Sequence, residues 1–558
     1  MNYKLKYSCD FETTIDREDA RVWAWIAINI DNENEKEYGN SIESFFDWMQ
    51  AFSKEIYFHN LKFDGSYIID FAFRNGYNHN ENERKVAPHE FNCLISDKGY
   101  FYTMYFNFGV STVKIIDSLK ILPYSVDAIA KGWNLPLKKL ELDYGTKREK
   151  GHILTQHEID YITNDALIIA KALKILFSQG FKKITAGSNA FHYYQELVGG
   201  KKSFRKMFPI PDNDAYIRKA YRGGYVYVNP KFQNKVVSAG RVYDVNSLYP
   251  WALHSPNLYP YGNPVYFTGE YIPDENYPLY VQQFYCSFKL KPGYLPTIQR
   301  KNTPGYIPTE YLTESIDDSY PLFMTSIDKA LFFEHYEVSN YRPIDGYKYK
   351  ARAGMFDEYV DYWYRVKAES KHEKNYAMYQ LSKLFMNSLY GKFATNPNIC
   401  SRYPYMGKDN IVHYYAGEPE TKEPIYIAVG VFCTAYARNL TIRSAQKCFD
   451  RFIYADTDSL HLLKDIEVPE IEIDDFKLGA FKHESSFSEA KFIRPKLYIE
   501  KEIFENQWKV TGAGMTSTIK AQVNLDNFNT GNVFSGKLRQ VTVPGGIVLE
   551  KTTFTIRE

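Results

Sequence analysis

The stretch that most constrains this chain is Tyr454-Ala455-Asp456-Thr457-Asp458-Ser459, in which two carboxylates stand one residue apart. Phe452 and Ile453 precede it, and Leu460 and Leu462 follow. In a strand or tight hairpin, alternate side chains share a face. Asp456 and Asp458 are then expected about 6–7 Å apart, from the rise per residue of a strand. Hard oxygen ligands at that spacing suit Mg²⁺, which takes one or two carboxylates plus substrate phosphates. A calcium loop is a poorer fit, because His461 stands where its sharp-turn glycine belongs. Alone, such a pair reads as a solvated turn; other acids along the chain change that reading.

Near the N-terminus, residues 3–12 alternate as a strand ending in Asp10-Phe11-Glu12, again two acids on one face. Ile56-Tyr57-Phe58 forms a second strand, followed by a polar turn, His59 to Gly65, and an apolar helix. A helix predicted over about 156–177 carries Tyr161 and Asp165 at i and i+4, on one side. Four acids on strand ends and one helix face are what a two-metal phosphodiesterase site requires.

This Asp-x-Glu, Asn-x-x-Phe-Asp and Tyr-x-x-x-Asp trio resembles the 3′–5′ proofreading exonuclease of DNA polymerases. The resemblance implies that Asp10, Glu12, Asp64 and Asp165 are catalytic and hold metal, with Tyr161 orienting the attacking water. It assigns Thr13, His59, Asn60, Phe63, Ser118 and Leu119 to the single-stranded 3′ end. A lysine of Lys147-Arg148-Glu149-Lys150 is expected to assist, without a choice between the two.

Further along, Lys201-Lys202-Ser203-Phe204-Arg205-Lys206 is either a phosphate-contacting patch or a solvated face. Tyr221-Arg222-Gly223-Gly224-Tyr225 allows close backbone approach. It resembles the Tyr-x-Gly-Gly motif, which implies DNA contacts for Tyr221, Gly223 and Gly224. Val242-Tyr243-Asp244-Val245-Asn246-Ser247-Leu248-Tyr249-Pro250 reads as an apolar strand delivering one carboxylate into a Ser-Leu-Tyr-Pro turn. It is similar to motif A of family B DNA polymerases. By that likeness Asp244 and the Val245 carbonyl bind metal, and Tyr249 lies under the sugar and rejects ribonucleotides.

From 356 to 394 the pattern is helical, with a break near Ser370. With Lys383 as angular origin, Asn387 falls at about +40° and Tyr390 at about −20°. Met378, Leu381, Phe385 and Leu389 fall on the opposite face. The polar stripe resembles motif B, which implies that Lys383, Asn387 and Tyr390 bind the incoming dNTP, with Lys371 as a second triphosphate ligand. Tyr379 stands where close relatives are expected to carry a lysine. The opening hexapeptide is then motif C, and Lys496-Leu497-Tyr498 matches the Lys-x-Tyr motif that steadies the primer end.

These motifs in this order resemble the protein-primed, phi-29-type subgroup of family B DNA polymerases over nearly the whole chain. The fold implied is a multidomain mixture of α/β and α+β parts. A ribonuclease-H-like exonuclease domain (1–185) precedes a right-hand polymerase with palm (186–255 and 427–512), fingers (356–394) and thumb (513–558). Two insertions interrupt it. The first (256–355), read as short β-like runs, is expected to meet a terminal protein that supplies the priming hydroxyl. The second (395–426), read as loop from about 397, is expected to encircle downstream DNA. An acidic run, Asp465 to Asp475, reads as a solvated loop. Asp244, Asp456 and Asp458 are the expected polymerase carboxylates, with Asp244 and Asp458 holding two Mg²⁺; Mn²⁺ is expected to substitute. Primer-template DNA, dNTPs and a terminal protein are the expected partners of a monomer.

Composition is compatible with this but does not announce it. The 558 residues exceed one ordinary core, and 68 Lys and Arg against 67 Asp and Glu place any basic surface locally. Aromatics reach 17%, able to stack on bases but mostly core material. The six cysteines show no C-x-x-C pair, which disfavours structural zinc and a disulfide framework. No signal-peptide core and no run of 18 apolar residues is present in the sequence, so a cytoplasmic, host-cell location is expected. A stand-alone exonuclease leaves the later motifs unexplained. A non-catalytic DNA scaffold predicts no metal dependence, and a glycosidase using acid pairs needs no Lys383–Tyr390 stripe.

Overall fold

The computed structural model describes residues 4–557 except 136, 138–139, 141, 144, 300–309, 316–319 and 505. Among the described residues, the N-terminal unit is built on an eight-stranded sheet. Its order is Lys36–Gly39, Val22–Asn29, Leu5–Thr13, Lys54–Phe58, Thr112–Asp117, Phe101–Asn107, Glu90–Ile95 and Asn78–His79. The central three strands run parallel. Every residue of Val22–Asn29 is buried because both faces of the sheet are covered. Ile26 and Ile28 share a core with Ile162, Ile169 and Leu173 of helix Gln156–Ser178. Trp25 and Ala27 share another with Phe45 and Ile68, from helices Ile42–Gln50 and Leu61–Arg74. Helix Leu61–Arg74 starts earlier than the sequence suggests. Asn60 takes φ 77° and ends the turn at once, so Asp64 sits in the first helical turn rather than in a loop.

The second large sheet is antiparallel throughout. Its order is Trp508–Gly512, Leu497–Glu502, Phe481–Arg494, Val236–Val245, Ser459–Leu463, Phe452–Asp456 and Val226–Val228. Helix Ile427–Lys447 supports it, buried along most of its length from Ile427 to Ala445: its first three turns are almost wholly apolar, and Arg438, Thr441 and Ser444 are buried polar groups beyond them. Helices Asp357–His372 and Tyr376–Phe393 form an antiparallel pair. Their break falls at residues 373–375, where Lys374 takes φ 57° and Asn375 caps the Met378 amide at 3.2 Å.

The region 256–355 corrects the expectation of short runs. It contains a four-stranded sheet with strands as long as Leu279–Leu290 and Tyr336–Arg352. Pro260 and Pro264 lie in the edge strand Tyr259–Thr268, and Pro343 lies where the register shifts, so neither position breaks an inner ladder. The stretch 397–426 is likewise no loop. Strands Arg402–Met406 and Val412–Ala416 form a hairpin whose Val412 is buried in the N-terminal core, and Tyr415 donates to Glu81 at 2.5 Å.

The last hairpin, Val533–Val543 with Gly546–Thr555, joins the two units. Its base packs Phe534 and Phe554 against Ile499 of the second sheet. Its turn, Pro544 followed by Gly545 at φ 96°, needs glycine at that second position. The turn rests on helix Leu61–Arg74, where the Gly545 amide donates to Asp70 at 3.1 Å and the Tyr67 hydroxyl to the Ile547 carbonyl. The acidic run 465–475 is tied down, not simply solvated. Arg241 pairs with Asp465 at 2.6 Å, and Asn246 donates to the Asp474 carbonyl at 2.7 Å.

Candidate active sites

The first site forms where three strands end. Asp456 pairs with Ser459, which leaves Thr457-Asp458 as a two-residue turn, and Thr457 adopts φ 61°. This corrects the shared-face reading of Asp456 and Asp458, since a left-handed residue between them breaks the strand's alternation. Asp458 faces Asp244 across the cavity, and its backbone is tied to the next residue along that strand: the Val245 amide donates to the Asp458 carbonyl at 2.8 Å. Asp456 instead accepts from Tyr454 at 3.2 Å, Thr457 at 3.2 Å and Lys496 at 3.1 Å. Lys496 is thereby held beside the turn, and Tyr498 packs 5.2 Å from the Tyr454 ring.

Asp244 and Asp458 open onto a cavity of about 370 Å³ that Val245, Lys383, Asn387 and Tyr390 also line. The predicted turn at Ser247–Pro250 is a helix, Leu248–Leu253, started by Ser247 at φ 57°. It stacks Tyr249 on Tyr390, ring centres 4.0 Å apart and 20° from parallel. Lys371 lies outside the lining; Lys367, one turn earlier, is inside it and donates to Ser247 Oγ at 3.2 Å. Lys482 and Tyr379 also line the cavity.

Burial, and then the charge of Asp458, push the Asp244 carboxyl up to about 7. Burial and the nearby Asp456 raise Asp458 as well. Burial lowers Lys367, and so do Lys383 and Lys482. Asp244 Oδ1 is buried without a hydrogen-bond partner. Two desolvated carboxylates, one with an unpaired oxygen, form a donor set that fits a divalent cation.

Gly224 lies against the turn. A β-carbon there would stand 2.7 Å from the Thr457 side chain, so only glycine allows this approach. Arg438, which sequence reading missed, donates to the Arg222 carbonyl at 2.7 Å and to that of Gly223 at 2.8 Å. It also pairs with Asp328 at 2.8 Å, holding the Tyr221 segment against helix Ser326–His335. The basic stretch 201–206 is a helical face with Lys201 and Lys202 in solvent. Its Phe204 is buried, and its Arg205 donates to the Ile425 carbonyl at 3.0 Å.

The second site lies on the N-terminal sheet. Asp10 and Glu12 share strand Leu5–Thr13, and helix Gln156–Ser178, carrying Tyr161 and Asp165, packs across that strand. Asp64 is buried, and its carboxyl is driven well above the usual range by burial and by Asp10 and Glu12. Among the described residues, no three His, Cys, Asp or Glu side chains stand together at metal-ligand separation. Phe63 and Leu119 are half-buried, whereas Thr13 is buried. His59 and Ser118 face inward: the ring bonds Ser118 Oγ at 3.0 Å and the Tyr124 carbonyl at 2.7 Å, and Ser118 donates to the Phe58 carbonyl. Asp117, absent from the sequence reading, organises this edge by accepting from the amides of Asn60 and Leu119, each at 3.0 Å. No short motif marks it.

The family model for type B DNA polymerases, organellar and viral, matches residues 48–155 and 144–475. The chain belongs to that family. The DNA polymerases of Bacillus phages M2 and phi29 are 43% and 42% identical to it, over 100% and 99% of both chains. That of Streptococcus phage Cp-1 is 32% identical over 99% of this chain and 98% of its own. The structure of phi29 DNA polymerase with primer-template DNA and incoming nucleotide superposes with a TM-score of 0.94, at 40% identity over the full length of both. The fold of this type B polymerase is therefore an exonuclease unit followed by a right-hand polymerase. It is a DNA-directed DNA polymerase. Family B polymerases depend on metal ions. Among the described residues, no helix is long and apolar enough to cross a membrane.

Proposed function

We propose that the protein replicates DNA as a monomer, proofreads with a separate 3′–5′ exonuclease site, and displaces the strand ahead. The observation that carries this reading is the register that brings Asp244 and Asp458 into one cavity beneath Lys383. On the polymerase side, Asp244, Asp458 and the Val245 carbonyl would hold two Mg²⁺ ions, or Mn²⁺. On the exonuclease side the same role is assigned to Asp10, Glu12, Asp64 and Asp165, no three of which stand together at metal-ligand separation but of which buried Asp64 feels the charge of Asp10 and Glu12. When bound, such an ion pair activates the attacking oxygen and neutralises charge on the leaving group. Lys383 meets the triphosphate, Asn387 and Tyr390 meet the base and sugar, and the Tyr249–Tyr390 stack closes the space a 2′-hydroxyl needs. Catalysis is positioning and charge stabilisation by preset groups. Lys496 and Tyr498, fixed beside Asp456, steady the primer end. Region 256–355 is assigned to a priming terminal protein, and the hairpin at 402–416, docked on the exonuclease unit, to downstream DNA. The host-cell cytoplasm is the working compartment.

The test is a 5′-labelled primer on a longer template with a downstream duplex, in Mg²⁺, with and without dNTPs. Extension through the duplex with dNTPs, and 3′ shortening without them, are expected. Asp458→Ala removes extension and spares shortening; Asp10→Ala with Glu12→Ala does the reverse. Shortening under both conditions in the native protein would instead indicate an exonuclease alone, and no change in either an inert scaffold.

A further inference from the structure

Three lysines enter the polymerase cavity from three elements: Lys367 and Lys383 from the two helices, and Lys482 from strand Phe481–Arg494. Lys482 is the one from the floor. It lies directly across the antiparallel ladder from Asp244, so the two side chains leave the same face of the sheet. Tyr379, one turn before Lys383, lines the same cavity as Lys482. The helix therefore presents a neutral ring at a position from which a lysine could reach substrate phosphate. Lys367 is half-buried and already engaged by Ser247. Lys482 is held at 2.7 Å by Glu484, two residues along its own strand, with 36% of its side chain and 45% of that of Glu484 exposed. Ion pairs this exposed are weak and exchange readily for a stronger anion.

We infer that Lys482 is a further ligand of the incoming nucleotide, leaving Glu484 to bind a triphosphate oxygen from the palm side, opposite Lys383. It supplies from the sheet the positive charge that Tyr379 does not supply from the helix. This rests on the reading of the cavity as the dNTP site. Glu484 competes for the ammonium, so it also sets how readily the lysine is released to substrate.

The test is steady-state single-nucleotide incorporation by the full chain carrying Lys482→Ala, Lys482→Met, Glu484→Gln, or Lys482→Ala with Tyr379→Lys. Loss of Lys482 raises KM for dNTP about tenfold, the effect of one charge-assisted hydrogen bond to phosphate, with kcat nearly unchanged. Glu484→Gln lowers KM, and Tyr379→Lys restores KM in the Lys482→Ala background. Primer shortening without dNTPs, carried out at the other site, reports that each variant is folded. Unchanged KM in folded Lys482→Ala and Lys482→Met overturns the inference. So does a loss of kcat that Tyr379→Lys fails to rescue, which would make Lys482 a support for Asp244 alone. Native protein that extends no primer sinks the underlying reading instead.

Discussion

Replacing Gly224 with alanine tests how tightly the polymerase turn is held. The new β-carbon would lie 2.7 Å from both Thr457 Cγ2 and Oγ1 and 3.0 Å from Thr457 Cβ, all inside contact distance. Thr457 has little freedom to retreat. Its amide donates to the Tyr225 carbonyl at 2.7 Å, and its carbonyl accepts from Thr441 at 2.7 Å. Rotating the side chain leaves the Cβ clash in place, so the backbone itself must shift. Overpacking of this kind costs about 1–3 kcal/mol. Asp458 is the next residue, and moving a catalytic group by 1 Å costs about a hundredfold in rate. A shift of a few tenths of an ångström is therefore expected to slow incorporation roughly tenfold. Single-turnover extension and urea denaturation are the assays, with 3′ shortening as internal control. Adding Thr457→Gly, which removes the obstructing atoms, should recover much of both losses. A Gly224→Ala protein with native extension rate and native denaturation midpoint would refute the reasoning, and equal loss of shortening would show global damage instead.

Burial works against the Glu158 carboxylate, yet the Thr155 amide, His152 and Arg148 together hold it at about 2. Its folded pKa is depressed, so its contribution is present above its unfolded value of 4.5 and fades as pH falls through about 2. Glu158→Gln should cost about 1–2 kcal/mol at pH 7, after allowance for solvent screening, and the gap from native should narrow below pH 4.5 in denaturation curves. Arg438→Met leaves Asp328 without its buried partner and should cost about 3–5 kcal/mol, read as a lowered urea midpoint. Tyr249→Val removes the stack on Tyr390, and competition between ribo- and deoxynucleotides should show discrimination falling by at least about tenfold.

What the sequence by itself determined is what short-range geometry controls. Asp10 and Glu12 fall on one strand, and Tyr161 and Asp165 on one helix, because periods of 2 and 3.6 residues depend only on local backbone. The Lys383–Asn387–Tyr390 stripe follows from the same arithmetic, and the order of motifs carried the family. The tertiary structure alone decided which groups meet across long separations. Asp456 and Asp458 look equivalent in sequence, but the hairpin register sends one to Lys496 and the other to Asp244. Lys482, Arg438 and Asp117 carry no motif, and their positions come from ladder pairing and burial. The hairpin at 402–416 was hidden by the prolines in and around it, Pro397, Pro404, Pro419 and Pro424, and its buried Val412 gains its apolar partners from the N-terminal core. Periodicity reports which face a residue takes; only packing and strand register decide what that face meets.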